Sequence, residues 1–167
     1  MTDNSIQPQI VTYKSEDYSI TMASSWKVQK IDENRILFIG PSVGDLEVGF
    51  YVTAVPKEGN TYLDAAKRYM EKQMLEKEYT ILEEKDISKE GFKAFMRRSS
   101  WYHTEKDMVL FVRDVFTESD TKVFVLSCSI PNSENLREIE NVTSVMMTSF
   151  KLNNTNERVK NEKTASL

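Results

Sequence analysis

The chain has one cysteine, one histidine, four prolines and five glycines among its 167 residues. A lone cysteine, Cys128, excludes an internal disulfide framework. It sits in the apolar run Val123-Phe124-Val125-Leu126-Ser127-Cys128-Ser129-Ile130, where a thiol reads as a small buried hydrophobe. A nucleophilic thiolate would need an exposed, stabilising setting and a base, and no spacing ties Cys128 to the one histidine, His103. The glycines are too scattered to cradle a phosphate, and neither Gly-x-Ser-x-Gly nor His-Glu-x-x-His occurs. No catalytic residue is assigned, the chain reads as a non-enzyme, and no cofactor is expected.

Long apolar runs are lacking as well. Nowhere do the roughly 18 consecutive apolar residues of a spanning helix occur. Met1 to Pro8 has neither the basic start nor the apolar core of a secretory leader. The expectation is no membrane insertion and a cytoplasmic location as written, or an extracytoplasmic one if a leader has been removed. Positive charge is not in excess: 22 basic and 26 acidic residues are interspersed, for a net charge of −4. No long-range positive field draws nucleic acid, which is not expected as a partner. Lys93, Arg97 and Arg98 come nearest to a basic patch and read as a solvated strand face.

What is present is core material. A 40% hydrophobic content with eight Phe, seven Tyr and two Trp suffices for one domain without disulfides or a structural metal. Period-2 alternation predicts strands at 10–13 and 18–22, then at 35–39, ending at Gly40-Pro41, and at 46–55. A helix follows from about Thr61 to Glu78, with Thr61 or Asn60 as N-cap and Asp64 in the first turn. Its apolar stripe is Leu63, Ala66, Met70 and Met74, joined by Tyr62, Tyr69 and Leu75. Four strands at 79–87, 92–102, 108–116 and 122–130, joined by short polar turns, predict an antiparallel meander. A second helix, capped by Asn132 or Ser133 and reaching Ser149, buries Leu136, Ile139, Val142, Val145, Met146 and Phe150.

This order predicts an α+β fold, an α/β/α sandwich with a central, largely antiparallel sheet of six or more strands and two main helices. The domain spans 10–152, preceded by an extension over 1–9 and followed by a polar tail over 153–167.

Several stretches, taken in order, carry a resemblance. They are Tyr18-Ser19-Ile20 before Trp26, Phe38-Ile39-Gly40-Pro41, the strand Val48 to Val55, Tyr62-Leu63, Tyr79-Thr80-Ile81, Val123 to Pro131, and Ser149-Phe150-Lys151. Together they resemble the PsbP-like superfamily over roughly 13–152. That group includes photosystem II PsbP proteins, bacterial lipoproteins and periplasmic proteins, a Ran-binding import factor and chaperones of type VI secretion effectors. The resemblance implies a non-enzymatic accessory or assembly protein that binds a protein partner, and it gives Trp26 a structural place.

Two side-chain groups are candidate sites. Trp101 and Tyr102, with Tyr51 on another strand, are candidates for partner contact, since exposed aromatics anchor interfaces. His103, Glu105 and Asp107 share one hairpin loop, and all three side chains can ligate a divalent cation. They support an alternative reading as a cation-dependent accessory subunit of the photosystem type. A further alternative, a carrier or sensor of a small apolar ligand, rests on Met70, Met74, Met146 and Met147 along the two helices.

Overall fold

The computed structural model describes residues 9–153. The extension and tail expected at the two ends lie outside these residues, except that Gln9 and Asn153 are described. Asn153 is tied down: its N–H donates to Asp17 O at 2.8 Å and its amide to Glu16 O at 2.8 Å.

Two antiparallel sheets form. Strands β1 (Ile10–Lys14), β2 (Tyr18–Ala23) and β10 (Lys151–Leu152) make a small one in the order β1-β2-β10. The large sheet contains β3 (Lys27–Lys30), β4 (Arg35–Val43), β5 (Leu46–Pro56), β6 (Thr80–Asp86), β7 (Ala94–His103), β8 (Met108–Glu118) and β9 (Lys122–Pro131). Its order is β3-β4-β5-β9-β8-β7-β6, so the expected meander of four consecutive strands is present and closes against β5.

Helices α1 (Tyr62–Gln73) and α2 (Leu136–Ser149) cover opposite faces of the large sheet, with the small sheet beside α2. The predicted α+β sandwich is therefore the observed architecture. The larger core lies between the sheets and α2: Tyr18, Ile20 and Met22 of β2 meet Phe38, Phe50, Phe124 and Leu126, closed by Ile139, Met146 and Phe150. On the other face Ala65 and Ala66 of α1 rest on Phe116, Val123 and Val125.

Several expectations are corrected. Gly40-Pro41 does not end β4, which continues to Val43 through a bulge between Ile39 and Ser42, where proline's missing donor is tolerated. Strands β3 and β10 were not expected; β3 is exposed on both faces and carries no alternation to read. Helix α1 ends at Gln73 rather than near Glu78: beyond Met74 the N–H groups of Leu75 and Glu76 donate three residues back, to Lys72 O and Gln73 O, and the chain then turns through Glu78 at φ 56°.

The buried face of α1 is Tyr62, Ala65, Ala66 and Tyr69, while Leu63 and Met74 are exposed and Leu75 is 87% exposed. The sheet beneath already presents the bulky Phe95 and Phe116, so small residues let the helix approach where Leu and Met would not fit. On α2 the buried positions are Ile139, Thr143 and Met146, and Val142 and Val145 face outward. Its cap is Asn135 without a side-chain bond, whereas Ser133 Oγ accepts from Asn135 N at 3.2 Å in the preceding turn.

Two contacts set local geometry and give testable costs. Thr61 and Asp64 form a reciprocal capping box, with Asp64 Oδ2 accepting from Thr61 N at 2.8 Å. These bonds hold the Asp64 carboxyl below its ordinary pKa. Thr61→Ala is expected to lower stability by about 1 kcal/mol in urea unfolding.

Trp26, only 7% exposed, lies flat against Gly40, where a Cβ would stand 2.6 Å from the ring. Gly40→Ala is therefore expected to cost about 1–3 kcal/mol by overpacking, read as a lowered denaturation midpoint.

Candidate functional site

The predicted aromatic set is only partly assembled. Strand alternation puts Tyr51 and Trp101 on the α1 face of the large sheet and Tyr102 on the opposite face. Tyr51 aligns with Ser127, Asp114 and Arg97, whereas Trp101 aligns with Leu110 and Pro131. Three strand spacings, about 14 Å, separate β5 from β7.

Trp101 stacks on His103 with ring centroids 5.4 Å apart and lines a shallow hollow of about 300 Å³ with Glu76, Lys77 and Glu105. Tyr102 lies under the Lys77 ammonium at 4.9 Å and donates its hydroxyl to Asp107, which raises the phenol pKa.

The residues considered as cation ligands are engaged separately. Asp107 accepts from Tyr102, and His103 Nδ1 accepts from Lys106 N at 3.2 Å. Among the described residues no three His, Cys, Asp or Glu side chains converge to hold a metal ion. The four methionines also separate: Met146 is buried in the larger core, Met147 is half-buried, Met70 is half-buried on α1 and Met74 is exposed.

Two features were not anticipated from sequence. The first is a buried polar cluster under α1. Asp114 is fully buried; its Oδ2 accepts from Gln73 Nε2 at 2.8 Å, and Oδ1 has no hydrogen-bond partner. Burial raises its pKa, an effect partly offset by Ser127, by Gln73 and by the charge of Arg97. Ser127 is its register partner on β9 and helps to hold the shift down, although no hydrogen bond to Oδ1 closes.

Arg97, also buried, donates to Ala66 O at 3.0 Å and pairs with Glu84 at 3.1 Å. Arg98 points the other way and bridges β7 to Glu140 of α2 at 3.1 Å. Lys93, Arg97 and Arg98 therefore form no common solvated face, which corrects that reading.

The second feature is a groove of about 1450 Å³ on the α2 face. Helix α2 packs mainly on β2 and β9 and reaches β7 through the Arg98–Glu140 pair, so the α2-side surface of β6, β7 and β8 is only partly covered and a groove runs beside the helix. Ile87, Phe92, Met96, Val115, Met147 and Leu152 form an apolar lining continuous with the core. Around them stand Lys57, Lys85, Lys89, Lys93, Arg113 and Lys151, with Glu83, Glu90, Glu118 and Asp120 as the acids. Only the fold brings these cations together from four separate stretches of chain, at Lys57, Lys85 to Lys93, Arg113 and Lys151, which is why no motif announces them.

Cys128 faces the same core from β9, is 1% exposed, and burial pushes its thiol up to about 12. It is expected to resist a thiol-specific reagent until the chain unfolds, so labelling in buffer and in denaturant should differ from none to one equivalent per chain.

A two-helix sandwich around an antiparallel sheet, with a short hairpin sheet packed beside the C-terminal helix, is the PsbP-like fold. Solved structures that share it include cyanobacterial PsbP from Synechocystis, at TM-score 0.64 and 11% identity over 91% of this chain and 97% of that one. The Ran-binding protein Mog1p of Saccharomyces cerevisiae aligns at TM-score 0.61 and 9% identity, covering 91% and 98%. LpqN of Mycobacterium tuberculosis, a protein involved in cell envelope biogenesis, aligns at 0.53 and 12% identity, covering 90% and 92%. No protein-family model and no curated protein matches the chain. Among the described residues no helix is long and apolar enough to cross a membrane.

Proposed function

We propose that this protein is a non-enzymatic accessory or assembly factor that works by binding a protein partner in the groove between α2 and strands β6 to β8. The observation that carries this reading is the groove itself. Its volume, about 1450 Å³, exceeds the roughly 300–1,000 Å³ of small-molecule pockets, and it is partly open to solvent. An apolar floor with a charged rim matches the anatomy of a protein interface, where buried apolar contacts supply affinity and rim charges set orientation. That Mog1p binds Ran and shares the fold supports the class of function and says nothing of the partner here.

The test is site-specific photo-crosslinking of the full chain in native lysate, with a benzophenone residue at Met147 or Phe92 and a control at exposed Leu63 on the opposite face. One protein captured from both groove positions and absent from the control is the expected result. Equal capture from all three positions, or none from the groove, overturns the reading.

A further inference from the structure

The groove has a charge of its own, opposite to that of the chain. Among its lining residues six cations face four acids, in a protein whose net charge is −4. The acids are more fully committed than the cations. Burial alone would raise the Glu118 carboxyl, but its pairing with Lys57 and the N–H of Tyr62 donating to it at 3.2 Å outweigh that and keep it below its ordinary pKa. Glu83 stands 4.0 Å from Arg98. Among the described residues, Lys85, Lys89, Lys93, Arg113 and Lys151 have no carboxylate within ion-pair distance, and of the four groove acids Glu90 and Asp120 are likewise unpaired. Five unpaired cations against two unpaired acids leave the groove with an excess of positive charge around an apolar floor, and an anionic occupant that buries apolar surface between the cations relieves their mutual repulsion.

We propose that the groove takes an acidic amphipathic segment of the partner protein, with large apolar side chains on one face and Asp or Glu on the other. The proposal rests on the groove being the binding site. The floor accepts the apolar face, and Lys85, Lys89, Arg113 and Lys151 meet the carboxylates. A helix about 10 Å across fills roughly 1450 Å³ in about three turns, so the segment is on the order of 12 residues. The chain's own terminus is a poor occupant: over 154–167, Arg158, Lys160 and Lys163 outnumber Glu157 and Glu162, and only Val159 and Leu167 are large and apolar. Single-stranded nucleic acid would meet the cations but would find only Phe92 and Phe150 as aromatic surfaces in the groove.

The experiment is a fluorescence-anisotropy titration of the full chain against three labelled peptides of about 12 residues. One carries leucines at helical spacing with glutamates elsewhere, one has lysines in place of the glutamates, and one keeps the acidic composition with the leucine order scrambled. The acidic striped peptide is expected to bind at least about tenfold tighter than either of the others, and more weakly as salt rises. The variant Lys85→Glu/Lys89→Glu/Arg113→Glu, shown folded by circular dichroism, is expected to lose that binding. Lys14→Glu/Lys27→Glu, outside the groove, is expected to keep it.

Equal binding of acidic and basic peptides, equal binding of the scrambled peptide, retention in the groove variant, or tighter binding of an oligothymidylate would each overturn the proposal. So would concentration-dependent self-association lost in the groove variant, because a second copy would then be the occupant. If the acidic peptide fails while Met147 still crosslinks a specific protein, the occupant is wrong and the binding reading stands. If both fail, both fall.

Discussion

Arg97→Met is expected to lower the unfolding free energy by about 3 kcal/mol at neutral pH, the range seen when one member of a buried charged group is removed. The guanidinium does three things at once. It donates to the helix carbonyl of Ala66, pairs with Glu84, and lies over the rings of Phe95 and Phe116 at 5.5 and 5.7 Å. It is also the positive charge that lowers the cost of keeping Asp114 ionised in the core. Methionine can replace much of the packing but neither the bonds nor the charge. The loss should therefore be smaller in Arg97→Met/Asp114→Asn than the sum of the single changes implies, a coupling that a double-mutant cycle in urea measures directly.

The pH dependence follows from the same cluster. Burial raises the Asp114 pKa, so the folded state holds this proton more tightly than the unfolded chain does. Between the unfolded value, 3.8, and the raised folded value, the native state binds more protons, and stability from this group falls as pH rises. Above the folded value the penalty is fully present and constant. Asp114→Asn removes the titration, so its unfolding midpoint should exceed that of the parent at neutral pH, and the difference should shrink towards zero as pH approaches about 4. A difference independent of pH would mean that the asparagine acts through packing and not through the removed charge.

Alternation and turn chemistry made the four strands from Thr80 to Pro131 and their antiparallel order legible in the sequence, and Thr61 with Asp64 marked the start of α1. Helix faces were harder to read. A stripe of Leu and Met attracts the eye, but the sheet under α1 is filled by phenylalanines and selects Ala65 and Ala66, information held on strands 30 to 60 residues away.

Asp114 did carry a signal, as an acid within the otherwise largely apolar run Met108 to Phe116. Reading it needs the register that places Gln73 and Arg97 around it. The groove carried none, since its lysines are spaced as any solvated strand and turn would space them. Its existence follows from α2 lying mainly over β9 and leaving β6 to β8 only partly covered, a matter of packing geometry that local sequence does not encode.

Phe150→Ala is expected to cost about 3–5 kcal/mol, the penalty of emptying a buried aromatic site. The ring sits at the junction of α2 and β10, tilted against Tyr18 at 5.3 Å and edge-on to Phe124 at 5.8 Å. It thus joins the helix, the small sheet and the large sheet in one aromatic contact, while its outer edge forms part of the groove wall. Truncation should act on both: the urea midpoint falls, and the surviving folded protein binds the acidic striped peptide less tightly because α2 is no longer pinned beside β9. Leu75→Ala, at an apolar side chain more exposed than any apolar one in the groove, should move stability by no more than about 0.5 kcal/mol and leave peptide binding unchanged. If Phe150→Ala loses stability but keeps the peptide affinity, the groove is shaped by the sheet alone and α2 is not one of its walls.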